Sequence, residues 1–187
     1  IPQTPFDKGA YFVNPLSPVK GRCPKDRGVR ATYKAESLGY KPKVILSGRG
    51  INESVPKYIV KNLRIKMKKK SIKFVGSKIL IMGLTFKENC PDMRNSKVPI
   101  MIDILKKNGC NVDVFDPWIN DNENILGKKY NLQKKLSSKN YDSIIIAVAH
   151  NIFKQFKIQK YLKLCKEKHV IYDLKHILPK KYVDLRL

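Results

Sequence analysis

Residues 78–83 read KILIMG, a short apolar run that ends in glycine and has the length of one buried β-strand. Apolar and helix-favouring segments then alternate: the sequence predicts strands at 112–116, 143–149 and 169–173, and helices at 96–108 and 153–165. Strands that alternate with helices pair in parallel through right-handed crossovers, with helices on both faces of the sheet. Residues 76–187 are therefore predicted to form a Rossmann-like, doubly wound α/β domain.

Two further regions precede this domain. Residues 1–31 are rich in proline and glycine, which interrupt helices and strands, so an irregular loop is predicted there. Residues 32–75 are predicted to be helical: one helix ends at Gly39, and a second begins near Ser54 with Pro56 in its first turn. The second helix has an apolar residue at every fourth position, at Val55, Ile59, Leu63 and Met67.

The chain is strongly basic, with 39 lysines and arginines against 15 acidic residues and a net charge of +24. Nucleic-acid-binding proteins often carry such a charge. Here lysine greatly outnumbers arginine, lysines occur throughout the chain, and aromatic residues do not alternate with the basic ones. We interpret the charge as solvated surface that also favours a pyrophosphate-bearing ligand, and we do not expect nucleic acid as the partner.

Two features bear on the compartment. The longest apolar run, 143–149, is too short to cross a bilayer, and no secretion signal opens the sequence, so we expect a cytoplasmic protein without a membrane partner. The four cysteines are far apart, at Cys23, Cys90, Cys110 and Cys165. Their spacing supports neither a zinc site nor a disulfide framework, and reduced thiols are expected.

Polar residues follow the predicted strands, at the edge where parallel α/β sheets bind ligands. Lys87 follows the first strand, and Arg94, whose guanidinium can donate two hydrogen bonds to a phosphate, precedes the next helix. His150 follows the third strand at its exposed end, either as a hydrogen-bonded structural residue or as a substrate contact. Asp116 is expected to cap the turn that follows it. No strand is followed by Gly-x-Gly-x-x-Gly, so the sequence shows no primary dinucleotide site.

Several longer strings resemble, in the same order, those of the UDP-glucose/GDP-mannose dehydrogenase superfamily. The matching strings are TYKAESLGY at 32–40, VILSGR at 44–49, GLTFKENCPDMRN at 83–95, DVFDPW at 113–118 and AVAH at 147–150. Those at 32–52 and 83–95 are most similar to bacterial UDP-N-acetylhexosamine dehydrogenases. The resemblance covers residues 32–187.

The resemblance implies the C-terminal part of an oxidoreductase. In this family an N-terminal Rossmann domain binds NAD, a C-terminal α/β domain binds the UDP-sugar, and a helical segment joins them and builds a homodimer. Residues 32–75 would be that segment. The implied activity is oxidation of the C6 hydroxyl of a UDP-(N-acetyl)hexosamine to the uronic acid with two NAD, for surface polysaccharide biosynthesis.

The family's catalytic cysteine lies in a Gly-Gly-x-Cys-x-Pro-x-Asp loop, and GRCPKD at 21–26 is similar to it, with one residue missing between Cys23 and Pro24. The resemblance implies that Cys23 is the nucleophile that carries the substrate as a thioester. It also implies that Asp26 activates or positions the water that hydrolyses the thioester.

Four further residues receive roles from the resemblance. Phe12 lies in YFVNP at 11–15, which is similar to a substrate-contacting stretch of the family. Lys87 and Lys175 would bind the UDP-sugar, and Arg94 would reach the NAD pyrophosphate.

Because no dinucleotide fingerprint is present, we expect that the chain alone does not oxidise sugars. Two alternatives remain open. One is a stand-alone basic α/β module that binds nucleic acid or nucleotide. The other is an inactive gene remnant, which the altered loop at 20–31 would suit.

Overall fold

The computed structural model describes residues 34–35, 37–40, 43–119, 130–136 and 140–187. The predictions for the loop at 1–31 lie outside this part of the chain. Two compact units are present, Ile1–Arg49 and Gly50–Leu187, and the second contains the whole sheet. Of the first unit, the described residues include a helical turn that ends at Gly39, whose φ is 78°.

The second unit follows the predicted alternation of strands and helices. Its strands are β1 (Lys78–Met82), β2 (Asn111–Phe115), β3 (Tyr141–Ile146), β4 (Cys165–Asp173) and β5 (Leu185–Arg186). The helices are α1 (Lys43–Lys69, which begins in the first unit), α2 (Val98–Lys107), α3 (Asn151–Gln155) and α4 (Ile158–Leu164), and a 3₁₀ turn occupies Lys180–Tyr182. The strand order is β2-β1-β3-β4-β5, and every neighbouring pair is parallel. The predicted parallel α/β fold is confirmed.

Two apolar layers cover the sheet, one on each face. Side chains of a strand alternate between faces, so Ile79 and Ile81 of β1 pack in one layer while Leu80 and Met82 pack in the other. The first layer contains the buried face of α1 and, from α2, Val98, Met101, Ile102 and Leu105. Phe153 of α3 belongs to the second layer, as do Tyr161 and Leu164 of α4. Helices therefore cover both faces, and each fully buried aliphatic side chain stabilises the fold by about 1.5–3 kcal/mol.

Helix α1 begins earlier than the sequence indicates. Its first residue is Lys43, so Pro56 lies inside the helix rather than in the first turn. The Ser54 hydroxyl, expected to cap a helix start, instead donates to the carbonyl of Ile51 at 2.7 Å. A proline inside a helix removes one backbone hydrogen bond, and here the buried residues that follow it, Ile59, Val60, Leu63 and Met67, hold the helix against the sheet.

The single helix predicted at 153–165 is wrong. The chain forms two helices, because Phe156 and Lys157 adopt extended backbone with ψ values of 123° and 147°. This break lets Phe153 and Tyr161 bury in the same layer, where the Tyr161 hydroxyl donates to the carbonyl of Phe153 at 2.7 Å. In addition, β4 begins at Cys165 rather than 169, and β3 ends at Ile146 rather than 149.

Candidate functional site

The carboxyl ends of the parallel strands lie at one edge of the sheet, called here the carboxyl edge. Its loops begin at Gly83 after β1, Asp116 after β2, Ala147 after β3 and Leu174 after β4. Gly83 lets the loop after β1 and the loop after β3 approach each other closely. Its φ is 93°, and a Cβ added there would lie 2.5 Å from the Cβ of Val148. Only glycine fits this position without displacing the β3 loop.

Asp116, which follows the neighbouring strand β2, holds the turn after β1 in place through hydrogen bonds. One carboxylate oxygen accepts the backbone N–H groups of Leu84 at 2.6 Å and of Thr85 at 3.1 Å. The other accepts the N–H of Trp118 at 2.9 Å, which confirms the predicted cap of the following turn. Burial by itself raises the pKa of Asp116, but the hydrogen bonds from His150, Leu84 and Trp118 outweigh it, so the pKa is lowered. The buried carboxylate is thus ionised.

His150 is completely buried, which corrects the expectation of an exposed strand end. Its Nδ1 accepts the backbone N–H of Asn89 at 3.0 Å, because the loop after β1 folds over the imidazole. Its Nε2 lies 3.3 Å from Oδ2 of Asp116 and 3.2 Å from Oγ1 of Thr85. Asp116 follows β2 and His150 follows β3, and these strands lie on either side of β1, so their pairing is a tertiary contact that the sequence pattern does not reveal.

The structure brings Lys87 and Lys175 to the same edge, both exposed to solvent. Glu88 follows Lys87 in the same loop, and a backbone hydrogen bond lowers its pKa against a small opposing effect of burial. The charges of Lys154 in α3 and of Lys175 in the β4 loop lower the pKa of Glu88 further. Lys87, Lys154 and Lys175 therefore lie on the segments that follow β1, β3 and β4.

Arg94 lies further along the loop that carries Lys87. Its side chain is 78% exposed and makes a forked ion pair with Asp92, with Nε 3.0 Å and an Nη 2.9 Å from the two carboxylate oxygens. This pair lowers the pKa of Asp92. Phe12, Cys23 and Asp26 lie outside the described residues.

The described cysteines are free, and two of them are poor nucleophiles. Burial raises the pKa of Cys110, and burial together with the nearby charge of Asp184 raises that of Cys165 to about 12. A nucleophile must be a thiolate, so neither of these two suits covalent catalysis.

An open groove of about 410 Å³ lies at the opposite edge of the sheet, before β1. Its lining comprises Arg64, Lys68, Ser71, Ile72, Lys73 and Phe74. The guanidinium of Arg64 lies over the Phe74 ring at 5.8 Å from its centre. Since none of the predicted site residues lines this groove, we place the candidate site at the carboxyl edge.

The described residues offer neither a membrane span nor a metal site. No helix in this part of the chain is long and apolar enough to cross a membrane. Nor do the described histidines, cysteines and acidic residues include a group of three that could hold a metal ion.

A parallel sheet with convergent cations at its carboxyl edge defines a nucleotide-binding α/β domain. Residues 80–180 match the UDP-binding domain of the UDP-glucose/GDP-mannose dehydrogenase family. The chain belongs to this family of NAD-dependent oxidoreductases, which confirms the resemblance seen in the sequence.

Two curated relatives show how much of the protein this chain spans. The UDP-N-acetyl-D-glucosamine 6-dehydrogenase of Salmonella typhi is 40% identical over 171 residues, which are 90% of this chain and 40% of that protein. The enzyme of the same name from Pseudomonas aeruginosa is 42% identical over 169 residues, with the same two coverages. The chain thus spans about 40% of the length of these relatives.

Solved structures share the fold. The NDP-N-acetyl-D-galactosaminuronic acid dehydrogenase of Methanosarcina mazei superposes with a TM-score of 0.66. It is 21% identical, and the match covers 74% of this chain and 29% of that one.

The described residues do not form the pyrophosphate cradle of an NAD site. In dinucleotide-binding folds the turn after the first strand presents free backbone N–H groups to the pyrophosphate. Here Leu84 and Thr85 donate those groups to Asp116 instead. Among the described residues Arg94 is the candidate for a contact with NAD, and its side chain already pairs with Asp92.

Proposed function

We propose that this chain is the nucleotide-sugar-binding part of a UDP-N-acetylhexosamine 6-dehydrogenase of surface polysaccharide biosynthesis. The observation that carries the proposal is that Lys87 and Lys175 lie exposed in the loops after β1 and β4, at the carboxyl edge of a family-matched UDP-binding domain. Two relatives that are 40% and 42% identical act, by name, on UDP-N-acetyl-D-glucosamine, which supports an N-acetylhexosamine substrate.

The lysines meet the diphosphate of the nucleotide sugar. A diphosphate carries its negative charge on several oxygens, and an ammonium group at the end of a flexible stem follows them without a fixed geometry. Lys87 and Lys175 approach from the loops after β1 and β4, which lie on either side of the β3 loop. The acidic Glu88 next to them is compensated by Lys154 and Lys175, so the region keeps a positive field.

The chemistry follows the family and begins with oxidation of the C6 hydroxyl to an aldehyde. The thiolate of Cys23 adds to that aldehyde, and the thiohemiacetal loses a hydride to become a thioester. Asp26 positions the water that releases the carboxylate, and Phe12 contacts the substrate. NAD accepts the two hydrides, and Arg94 is the described residue proposed to contact its pyrophosphate.

Titration calorimetry with UDP tests the binding role of the carboxyl edge. We expect the 187-residue chain to bind UDP and Lys87→Ala to weaken binding by about tenfold, since a charge-assisted hydrogen bond contributes about 1.5–3 kcal/mol. Lys107→Ala removes the same charge from an exposed site at the end of α2 and is the matched control. Equal affinities of the two variants, or no UDP binding by the wild type, would contradict the proposal.

We also propose that the chain alone does not oxidise sugars, because its described residues lack an NAD cradle. Absorbance of NADH in the presence of UDP-N-acetylglucosamine and NAD measures this directly. Steady NADH production by the purified chain would overturn this part of the proposal. The cytoplasmic location expected from the sequence stays a prediction.

The basic groove before β1 favours a second candidate, a nucleic-acid-binding module. Arg64, Lys68 and Lys73 line one face, and no ion pair with an acidic residue engages them within the described part of the chain. This candidate predicts tight binding of a short DNA duplex with an affinity that falls steeply with salt. If the wild type and Arg64→Ala bind the duplex with equal affinity, this candidate function is contradicted.

A further inference from the structure

The geometry points to His150 as a positioning residue for nucleotide binding: its neutral imidazole fixes the backbone on both sides of Lys87. This inference rests on the proposed function, because it concerns the loop whose lysine meets the nucleotide.

On one side of Lys87, two hydrogen bonds in opposite directions pin Asn89. Its backbone N–H donates to Nδ1 of His150 at 3.0 Å, and its side-chain oxygen accepts the N–H of Asn151 at 3.1 Å. Asn89 adopts a left-handed backbone with φ of 54°, which is strained unless its surroundings hold it. The contact with His150 joins residues that are 61 positions apart in sequence.

On the other side, a chain of hydrogen bonds ends on Lys87 itself. Nε2 of His150 lies 3.2 Å from Oγ1 of Thr85, and that hydroxyl donates to the carbonyl of Lys87 at 3.1 Å. A hydroxyl has one proton, so Thr85 must accept from the imidazole if it donates to Lys87. The imidazole therefore carries its proton on Nε2, where it serves Thr85 and Asp116.

The hydrogen bond from Asn89 requires the same tautomer, with no proton on Nδ1. A backbone N–H is always a donor, so Nδ1 must offer its lone pair to Asn89. A proton on Nδ1 would set two N–H groups against each other in a site where His150, Thr85 and Asp116 are all buried. His150 is thus neutral, and it acts mainly through Asn89 rather than by touching substrate, because the Thr85 hydroxyl can donate to the Lys87 carbonyl without the imidazole.

Substitutions at His150 separate its two nitrogens. The side-chain oxygen of His150→Asn takes the place of Nδ1 and keeps an acceptor for Asn89. The amide nitrogen of His150→Gln takes the place of Nε2 and keeps a donor for Asp116 and Thr85. His150→Leu keeps neither. Titration calorimetry with UDP on the full chain, together with thermal unfolding of each variant, measures affinity and stability independently.

We expect His150→Asn to bind UDP within about threefold of the wild type, because Asn89 keeps its acceptor and the Thr85 hydroxyl still donates to the Lys87 carbonyl. The variant loses stability because Asp116 loses its buried partner. His150→Gln should keep more of the thermal stability but bind UDP about tenfold more weakly, since the loop is freed at Asn89. His150→Leu should lose both. Affinity and stability therefore follow opposite orders in the Asn and Gln variants, which general destabilisation cannot produce.

Ser143→Ala is the control for destabilisation alone. The buried Ser143 hydroxyl donates to the carbonyl of Val170 at 2.9 Å, within the sheet and away from the carboxyl-edge loops. This variant should lower the melting temperature and leave UDP affinity unchanged. Long-range ¹H–¹⁵N correlation spectra of the imidazole should show the Nε2–H tautomer.

Other results would overturn either the positioning role of His150 or the proposed function. If the wild type binds UDP while His150→Leu binds equally well, or Asn and Gln weaken binding alike, the positioning role is overturned and the proposed function survives. A proton on Nδ1 overturns the role as well. If the wild type does not bind UDP, the proposed function fails and the positioning role fails with it.

Discussion

The carboxylate of Asp116 accepts the backbone N–H of Leu84 at 2.6 Å, so a side chain from the end of β2 closes the turn that follows β1. Because the hydrogen bonds lower the pKa of Asp116 in the folded protein, ionised Asp116 stabilises the fold. This contribution is fully present above the pKa of the unfolded chain, about 3.9, and is lost as the pH falls from there through the lower pKa of the folded state.

Asp116→Asn should therefore be less stable than the wild type at neutral pH, by about 1–3 kcal/mol. Between about pH 4 and pH 2 the wild type should lose part of its advantage, so the two stabilities converge. Urea unfolding followed by circular dichroism at a series of pH values measures the difference. A difference that stays constant down to pH 2 would contradict the lowered pKa.

Gly83→Ala should destabilise the fold by about 2–4 kcal/mol, because the added Cβ combines a left-handed backbone with a clash. The clash is with Val148, whose backbone nitrogen lies 3.0 Å from the added atom. Gly76→Ala is a matched control, since Gly76 has φ of 79° and no atom near its added Cβ. It isolates the backbone cost of about 1–2 kcal/mol, and the two variants should differ in urea unfolding by the cost of the clash.

We propose that α1 forms a homodimer through an exposed apolar stripe. Ile51, Tyr58 and Ile65 are 68%, 55% and 46% exposed and repeat every seven residues, the spacing of one helix face in a coiled coil. We expect sedimentation velocity to show a dimer, and the double variant Tyr58→Lys/Ile65→Lys to be a folded monomer.

The control for the dimer is Lys57→Ala, which changes an exposed residue about 100° around the same helix. It should leave the sedimentation coefficient unchanged. A wild-type chain that sediments as a monomer at micromolar concentration would exclude this interface for the chain alone.

The described thiols should differ in reactivity. Cys90 is partly exposed, whereas Cys110 and Cys165 are buried and have raised pKa values. Brief alkylation of the native chain at pH 8, read by peptide mass spectrometry, should modify Cys90 before the other two. Both buried thiols should react after unfolding in urea, and the same digest reports the proposed nucleophile Cys23. Alkylation of native Cys165 at the rate of Cys90 would contradict its burial.

The sheet could be predicted from the sequence because strand and helix signals were strong and local. The runs around Ile79 to Met82 and Ile144 to Ile146 are apolar, and Gly109 marks the end of α2. The break at Phe156–Lys157 was missed because neither residue interrupts a helix by itself. Burial of Phe153 and Tyr161 in one layer produces it, and that burial is a tertiary effect.

The candidate site, too, could be predicted only in part from the sequence. Lys87 and Lys175 could be assigned to one edge because parallel strands end together. The burial of His150 could not be predicted from the sequence. It depends on the loop after β1, which folds over the imidazole because Asn89 adopts a left-handed backbone. Short-range sequence patterns carry no information on such a contact.

The turn after β1 already holds an anion of its own, the carboxylate of Asp116, where related folds leave room for a phosphate. Ligand phosphates must then be met by side chains, and the backbone of the turn takes no part in choosing among them. Lys87 and Lys175 can accordingly be exchanged by single substitutions without refolding this edge. Under the proposed function, the stability of this edge depends on the buried carboxylate of Asp116 and ligand choice depends on exposed side chains, so either can change without the other.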